Sequence, residues 1–274
     1  MKIKHHSTLC FLATAFLSVA SAPAYAAALG YTDTPMLPGG KWHVHDPNRS
    51  QPTVVKPGTP STQKKSGKAP SDAVVLFDGT NLSKWRTGKG NASGWTVEDG
   101  TMVVPPKNTE NGGDIWTRDE FGDCQVHIEW AAPTPPKGDS QERGNSGLFF
   151  FGIYELQILD SYENKTYPDG QAASIYGQQP PLANASRKPG DWQVYDIAFT
   201  APRFKDGKVE QPAYITVFHN GILVQNHVAI LGTSGHKTLA SYKPHGAQGP
   251  LKLQDHNDPV RFRNIWVRPL KTIE

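Results

Sequence analysis

Residues 213–225 read Ala213-Tyr214-Ile215-Thr216-Val217-Phe218-His219-Asn220-Gly221-Ile222-Leu223-Val224-Gln225. β-Branched and aromatic residues fill both halves, and Asn-Gly accepts the positive φ angles of a two-residue hairpin turn. This stretch predicts two antiparallel strands, residues 213–219 and 223–231. The same grammar recurs outward from it. Residues 74–77 end at Asp78-Gly79, and Trp95 to Glu98 and Met102 to Val104 flank Asp99-Gly100. Further strands are predicted over residues 123–130, 147–159, 192–199, 251–254 and 260–267. Helical patterning is nearly absent. About ten strands joined by turns, with no alternating helices, predict an all-β fold, an antiparallel sandwich of the jelly-roll type.

The chain has 274 residues, and its 23 prolines and 26 glycines suit a loop-rich β protein. Its first 26 residues have the pattern of a cleavable signal peptide: Lys2 and Lys4, an apolar run from Leu9 to Ala20, and Pro23-Ala24-Tyr25-Ala26 before Ala27. The run is too short to span a bilayer, which takes about 20 apolar residues. The expected location is therefore the periplasm or the medium of a bacterium, with no membrane span. Residues 27–55 form an arm rich in turn residues. Residues 56–71 have linker composition, and residues 72–270 form the domain proper. Processing leaves one cysteine, Cys124, which alternates with Val126, Ile128 and Trp130 as a buried strand residue does. The formal charge of +3 falls to about +1 on processing, and the surplus basicity sits in the tail. No basic patch appears, so nucleic acid is not an expected partner.

Strand periodicity separates core from possible site. Gln125, His127 and Glu129 oppose an apolar set, as do Glu155 with Gln157 and Lys252 with Gln254. If the three strands are neighbours, they make a shallow polar groove suited to hydroxyl-rich ligands; ordinary solvated faces are the other reading. Two local sequences stand out. In Glu155-Leu156-Gln157-Ile158-Leu159-Asp160, acidic positions one and six keep the spacing of a jelly-roll β-glucanase strand, where a bulge brings them onto one face. The central acid is replaced by Gln157, so the close carboxylate pair of a retaining glycosidase is disturbed. In Gln254-Asp255-His256-Asn257-Asp258, a polar loop between strands, His256 has the setting of a general base or a metal ligand. A solvated turn fits equally.

Five co-linear motifs carry a resemblance. They are Leu76-Phe77-Asp78-Gly79-Thr80-Asn81-Leu82 with Trp85, then Gly144-Asn145-Ser146-Gly147-Leu148-Phe149-Phe150, then Tyr154-Glu155-Leu156-Gln157-Ile158-Leu159-Asp160. Gly249-Pro250 with Leu253-Gln254-Asp255-His256 and Val260-Arg261-Phe262-Arg263-Asn264-Ile265 complete the set. Together they resemble the 3-keto-disaccharide hydrolase family over residues 72–269. The stretch from Asp33 to Asp46 resembles a variant of that family in which an ordered arm precedes the domain.

The resemblance implies a concanavalin A-like jelly-roll sandwich of two antiparallel sheets, acting on the glycosidic bond of 3-keto-glycosides. A C3 ketone acidifies the C2 proton, so a base can remove it and expel the C1 substituent, after which water adds back. Such a path needs one base, an enolate stabiliser and help for the leaving oxygen. His256 is the expected base, with Glu155 as competitor. Asp160 completes the catalytic set. Gln157, Glu129, Gln254, Asp255, Arg261 and Arg263 are expected to hold substrate. Arg261, Arg263 or a bound divalent cation would stabilise the enolate; no cofactor beyond that is expected, and the metal ligands are not identified. The partner is a small carbohydrate. The alternative is a non-catalytic, lectin-like jelly roll, which predicts aromatic platforms such as Trp116, Tyr162 or Tyr176.

Overall fold

The computed structural model of the chain describes residues 29–105 and 112–270. The expected signal peptide, residues 1–26, lies outside the described residues. Residues 29–52 belong to a small unit of their own. In it Met36 and His43 form an antiparallel bridge across a Gly39-Gly40 turn, both glycines at positive φ. The Leu37 amide donates to the Trp42 carbonyl at 2.8 Å and the Tyr31 amide to that of His45 at 2.9 Å.

From residue 53 onward the chain is built almost wholly of strands. In chain order they are β1 (Val74–Phe77), β2 (Trp85–Thr87), β3 (Thr96–Glu98), β4 (Thr101–Val103), β5 (Ile115–Phe121) and β6 (Cys124–Ala131). Next come β7 (Ser146–Phe150), β8 (Tyr154–Ile158), β9 (Gln193–Thr200), β10 (Arg203–Lys205) and β11 (Lys208–Gln211). The last four are β12 (Tyr214–His219), β13 (Ile222–Ala229), β14 (Gly249–Leu253) and β15 (Arg261–Pro269). One sheet runs β13-β12-β9-β6-β15-β4-β3, with β1 also paired to β15; the second runs β2-β5-β14-β7-β8. The pairings within both sheets are antiparallel. The result is the expected concanavalin A-like jelly-roll sandwich.

Alternation fills the space between the sheets. Cys124, Val126, Ile128 and Trp130 of β6 are buried, and Cys124 is a free thiol that burial pushes up to about 12. Phe150 of the second sheet stacks on Phe199 of the first at 4.2 Å between ring centroids. The Tyr195 hydroxyl of β9 donates to the Gln157 carbonyl of β8 at 2.9 Å, a buried hydrogen bond from one sheet to the other. Among the described residues from 53 onward, four hairpin turns carry two consecutive positive-φ residues: Asp99-Gly100, Phe151-Gly152, Asp206-Gly207 and Asn220-Gly221.

Three expectations change. The single strand predicted over residues 147–159 is the hairpin β7–β8. Its Phe151-Gly152 turn lacks the Asn or Asp that marks the others, so the apolar run reads through it. Strands β2, β5, β10 and β11 lie outside the predicted set; β5 escapes it because Ile-Trp-Thr-Arg-Asp-Glu-Phe carries three charges. Residues 56–71, linker-like in composition, pack on β6, β15 and the chain before β9. There the Gln63 amide pairs with the backbone of Trp192 in both directions, at 2.7 and 2.9 Å, and the Thr62 carbonyl accepts from Arg263.

Truncating a fully buried aromatic ring typically costs about 3–5 kcal/mol. Phe199→Ala, which removes the stack across the sandwich, is expected to lower unfolding free energy in urea by that amount. The denaturant slope should stay unchanged.

Candidate functional site

Register sets one row of side chains across the second sheet. Glu155 pairs with Phe149, Phe149 with Lys252, Lys252 with Trp116 and Trp116 with Arg86. The adjacent row places Gln157 opposite Gly147. Period-two alternation sends Tyr154, Leu156 and Ile158 to the core, which leaves Glu155 and Gln157 for the other face. Over that face lies a cavity of about 630 Å³. Glu155, Gln157, Phe149, Lys252, Gln254 and His256 line it from the sheet and its end, and Gln141, Asn145, Tyr167, Tyr176 and residues 234–237 wall it from the loops.

Glu155 is only 7 % exposed. Its carboxyl fits because Gly147 has no side chain: a Cβ there would sit 2.6 Å from Glu155 Oε1. Burial raises the Glu155 carboxyl to about 8; the nearby Lys252 charge pulls it down and Asp114 pushes it up. The acid is therefore mostly protonated at neutral pH. Lys252 is held on both sides, by Asp114 at 3.0 Å and by the Phe149 ring, whose centroid lies 3.6 Å from Nζ. Asp114 also accepts the Asp255 amide at 3.0 Å, which ties the loop bearing His256 to the same carboxylate.

The Gln157 side-chain amide donates to Gln141 at 3.0 Å, and its carbonyl oxygen accepts the Ile158 amide. On the rim the Tyr167, Tyr176 and His236 side chains form a chain, at 2.7 and 3.0 Å. Burial holds the Tyr176 hydroxyl well above its ordinary value, so it stays protonated.

The structure thus brings together Glu155, Gln157, Gln254 and His256 of the predicted set. It separates the rest. Asp160 lies beyond the end of β8, where the Arg143 guanidinium binds it at 2.7 Å and it caps the Tyr162 amide. The β7–β8 pairing runs without a register shift and ends at Ile158, so no bulge within it turns Asp160 onto the Glu155 face. Asp255 braces its loop by accepting the Gly113 and Asn257 amides. Glu129, Arg261 and Arg263 belong to the other sheet, because β6 and β15 pair there, so the three polar strands do not share one groove. Glu129 is 0 % exposed; it takes hydrogen bonds from Ser61, Asn264 and Arg263 and contacts His127. Burial opposes its charge, yet these partners hold it at about 2. His127, which burial would lower, is carried up to about 9 by Asp196 and Glu129. Arg261 and Arg263 lie over the Trp192 ring.

Sequence reasoning gave Tyr176 only as a lectin platform and missed Gln141, Tyr167, Ser234, His236 and Lys237. These sit in irregular loops with no periodic signal. Among the described residues no group of three His, Cys, Asp or Glu side chains is arranged to hold a metal. The donor set around Glu155 does not fit a divalent cation either, since the Lys252 ammonium stands beside it.

A jelly roll with a polar cleft across one sheet is an architecture shared with lectins and sugar-processing proteins. More specifically, residues 72–268 match the 3-keto-alpha-glucoside-1,2-lyase-like domain, and the chain belongs to that family. It is 25% identical over 257 residues to a 3-keto-disaccharide hydrolase of Bacteroides thetaiotaomicron, covering 77% of this chain and 83% of that protein. A crystal structure of a candidate glycosyl hydrolase from Parabacteroides distasonis is 46% identical, with a TM-score of 0.77, over 86% of this chain and all of the other. A second candidate glycosyl hydrolase from that organism shares the fold at 21% identity, with a TM-score of 0.52, over 73% and 94% of the two chains.

Because the Glu155 pKa is raised on folding, the unfolded chain releases its proton first as pH rises. Stability contributed by this group therefore falls between about 4.5 and 8 and is flat above. Glu155→Gln abolishes that dependence. In unfolding experiments the variant should gain on wild type by on the order of 4 kcal/mol between pH 5 and 8.5.

Proposed function

We propose that the protein cleaves the glycosidic bond of 3-keto-glycosides, 3-keto-disaccharides among them, by elimination followed by hydration. The single observation that carries this reading is the cleft's acid content: of the described residues that line it, only Glu155 is a carboxylic acid, and burial keeps it protonated. Two-carboxylate hydrolysis asks for a second acid about 5–9.5 Å across the sugar. Elimination asks for one base and one acid. The family and the named relative support the same substrate class.

In this reading His256 takes the C2 proton of the bound keto sugar. The electron pair moves toward the C3 oxygen, where the Lys252 ammonium offsets the developing charge. Collapse of the enolate forms the C1–C2 double bond and breaks the bond from C1 to the leaving oxygen, which takes its proton from Glu155. Water then adds at C1, giving a proton to the Glu155 carboxylate, while His256 returns its proton to C2. Both residues end as they began. Gln157, Gln254 and Asn145, which line the cleft, would hold hydroxyls, with Gln141 orienting Gln157. Export by the leader of residues 1–26 would let the protein meet its substrate outside the cytoplasm.

The test is turnover of a 3-keto-disaccharide, followed by release of the free sugar. Activity should fall as pH rises through about 8, where Glu155 loses its proton. Glu155→Gln and His256→Ala should each reduce kcat by a hundredfold or more, on the order expected for general acid–base groups. No turnover by wild type, or activity that climbs through pH 8, contradicts the reading.

A further inference from the structure

A second hollow, of about 420 Å³, opens off the first and shares Tyr167, Tyr176, Gly235, His236 and Lys237 with it. We propose that this hollow is an aglycone pocket shaped for an aromatic ring, so that the favoured substrates are aryl glycosides carrying the C3 ketone. The inference rests on the 3-keto-glycoside reading above and extends it to the leaving group.

The wall's own chemistry points to an apolar guest. The hydroxyls of Tyr167 and Tyr176 are paired with each other, and Tyr176 is also paired with His236 Nδ1. The Thr238 hydroxyl is spent on the His236 carbonyl at 3.0 Å. Gly177 and Gly235 contribute no side chain. A second sugar would bring several hydroxyls to a wall whose own hydroxyls are already engaged, which leaves the charged Asp169 and Lys237 of the lining as their partners, and each hydroxyl beyond those two would cost affinity. A phenyl ring brings no hydroxyls that need partners there. It gains the two tyrosine rings, set edge to face at 6.2 Å and 65°, and it gains Leu239. Leu239 is 92 % exposed and Tyr167 38 %. Apolar surface left in water at the mouth of a polar cleft regains burial when a flat ring docks on it. The chemistry agrees. Elimination breaks the bond between C1 and the aryl oxygen, the pair leaves on that oxygen, and the proton from Glu155 completes a phenol.

Leaving-group ability alters kcat, so the test reads KM and binding instead. Phenyl and methyl 3-ketoglucosides are compared as substrates, and unoxidised phenyl and methyl glucosides as ligands by calorimetry. The phenyl compounds are expected to show KM and Kd values at least about tenfold lower than the methyl ones, the scale of burying one ring. Leu239→Ser should reduce that preference about fivefold or more. Equal binding of the two glucosides, or a preference untouched by Leu239→Ser, overturns the proposal. A Leu239-dependent phenyl preference in binding, without turnover of either keto sugar, upholds the pocket and contradicts the activity reading instead.

Discussion

One burial sets the charge of this cleft: that of a carboxyl group, Glu155, seated over the bare backbone of Gly147. The register of β7 and β8 aligns Glu155 with Phe149 and Gln157 with Gly147. The absence of a Cβ at Gly147 leaves the space that Oε1 fills. Desolvation then holds the proton that an exposed carboxyl would release. Lys252 moderates the effect without cancelling it, because Asp114 and the Phe149 ring already hold its ammonium. The second sheet therefore supplies an acid matched to neutral pH from ordinary strand geometry.

The first sheet has a different task. Its outer face carries Glu129, His127, Arg263 and Asn264, joined with Ser61 in one hydrogen-bonded cluster. With Gln63 on the Trp192 backbone, this cluster seats residues 56–71 against the sheet. The two sheets meet through aromatic packing and through the Tyr195 hydroxyl on the Gln157 carbonyl. That bond couples the support sheet to the strand bearing the site.

Much of the fold was legible in the sequence because its signals are local. Asn220-Gly221 and Asp99-Gly100 mark their turns, and Cys124 to Trp130 alternates as a half-buried strand must. Strand β5 and the Phe151-Gly152 turn were illegible for the same reason: charges hid the one, and an unpunctuated apolar run hid the other. Of the site, Glu155, Gln157, Gln254 and His256 could be read from strand faces and motif order. Glu129, Arg261 and Arg263 looked equivalent, since alternation shows that a face is polar but not which sheet owns it. Asp160 keeps its spacing in sequence, but its carboxylate is held by Arg143, a partner 17 residues away. Tyr167, Tyr176 and His236 come together only through loop closure, which leaves no periodic trace.

Burial is expected to keep Glu155 protonated in the folded protein at neutral pH. Carbon-13 NMR of glutamate side-chain carboxyls, with Glu155→Gln to assign the resonance, measures this directly. A midpoint near 8 is the predicted result. A midpoint at the ordinary glutamate value, about 4.3, would mean that burial does not hold the proton.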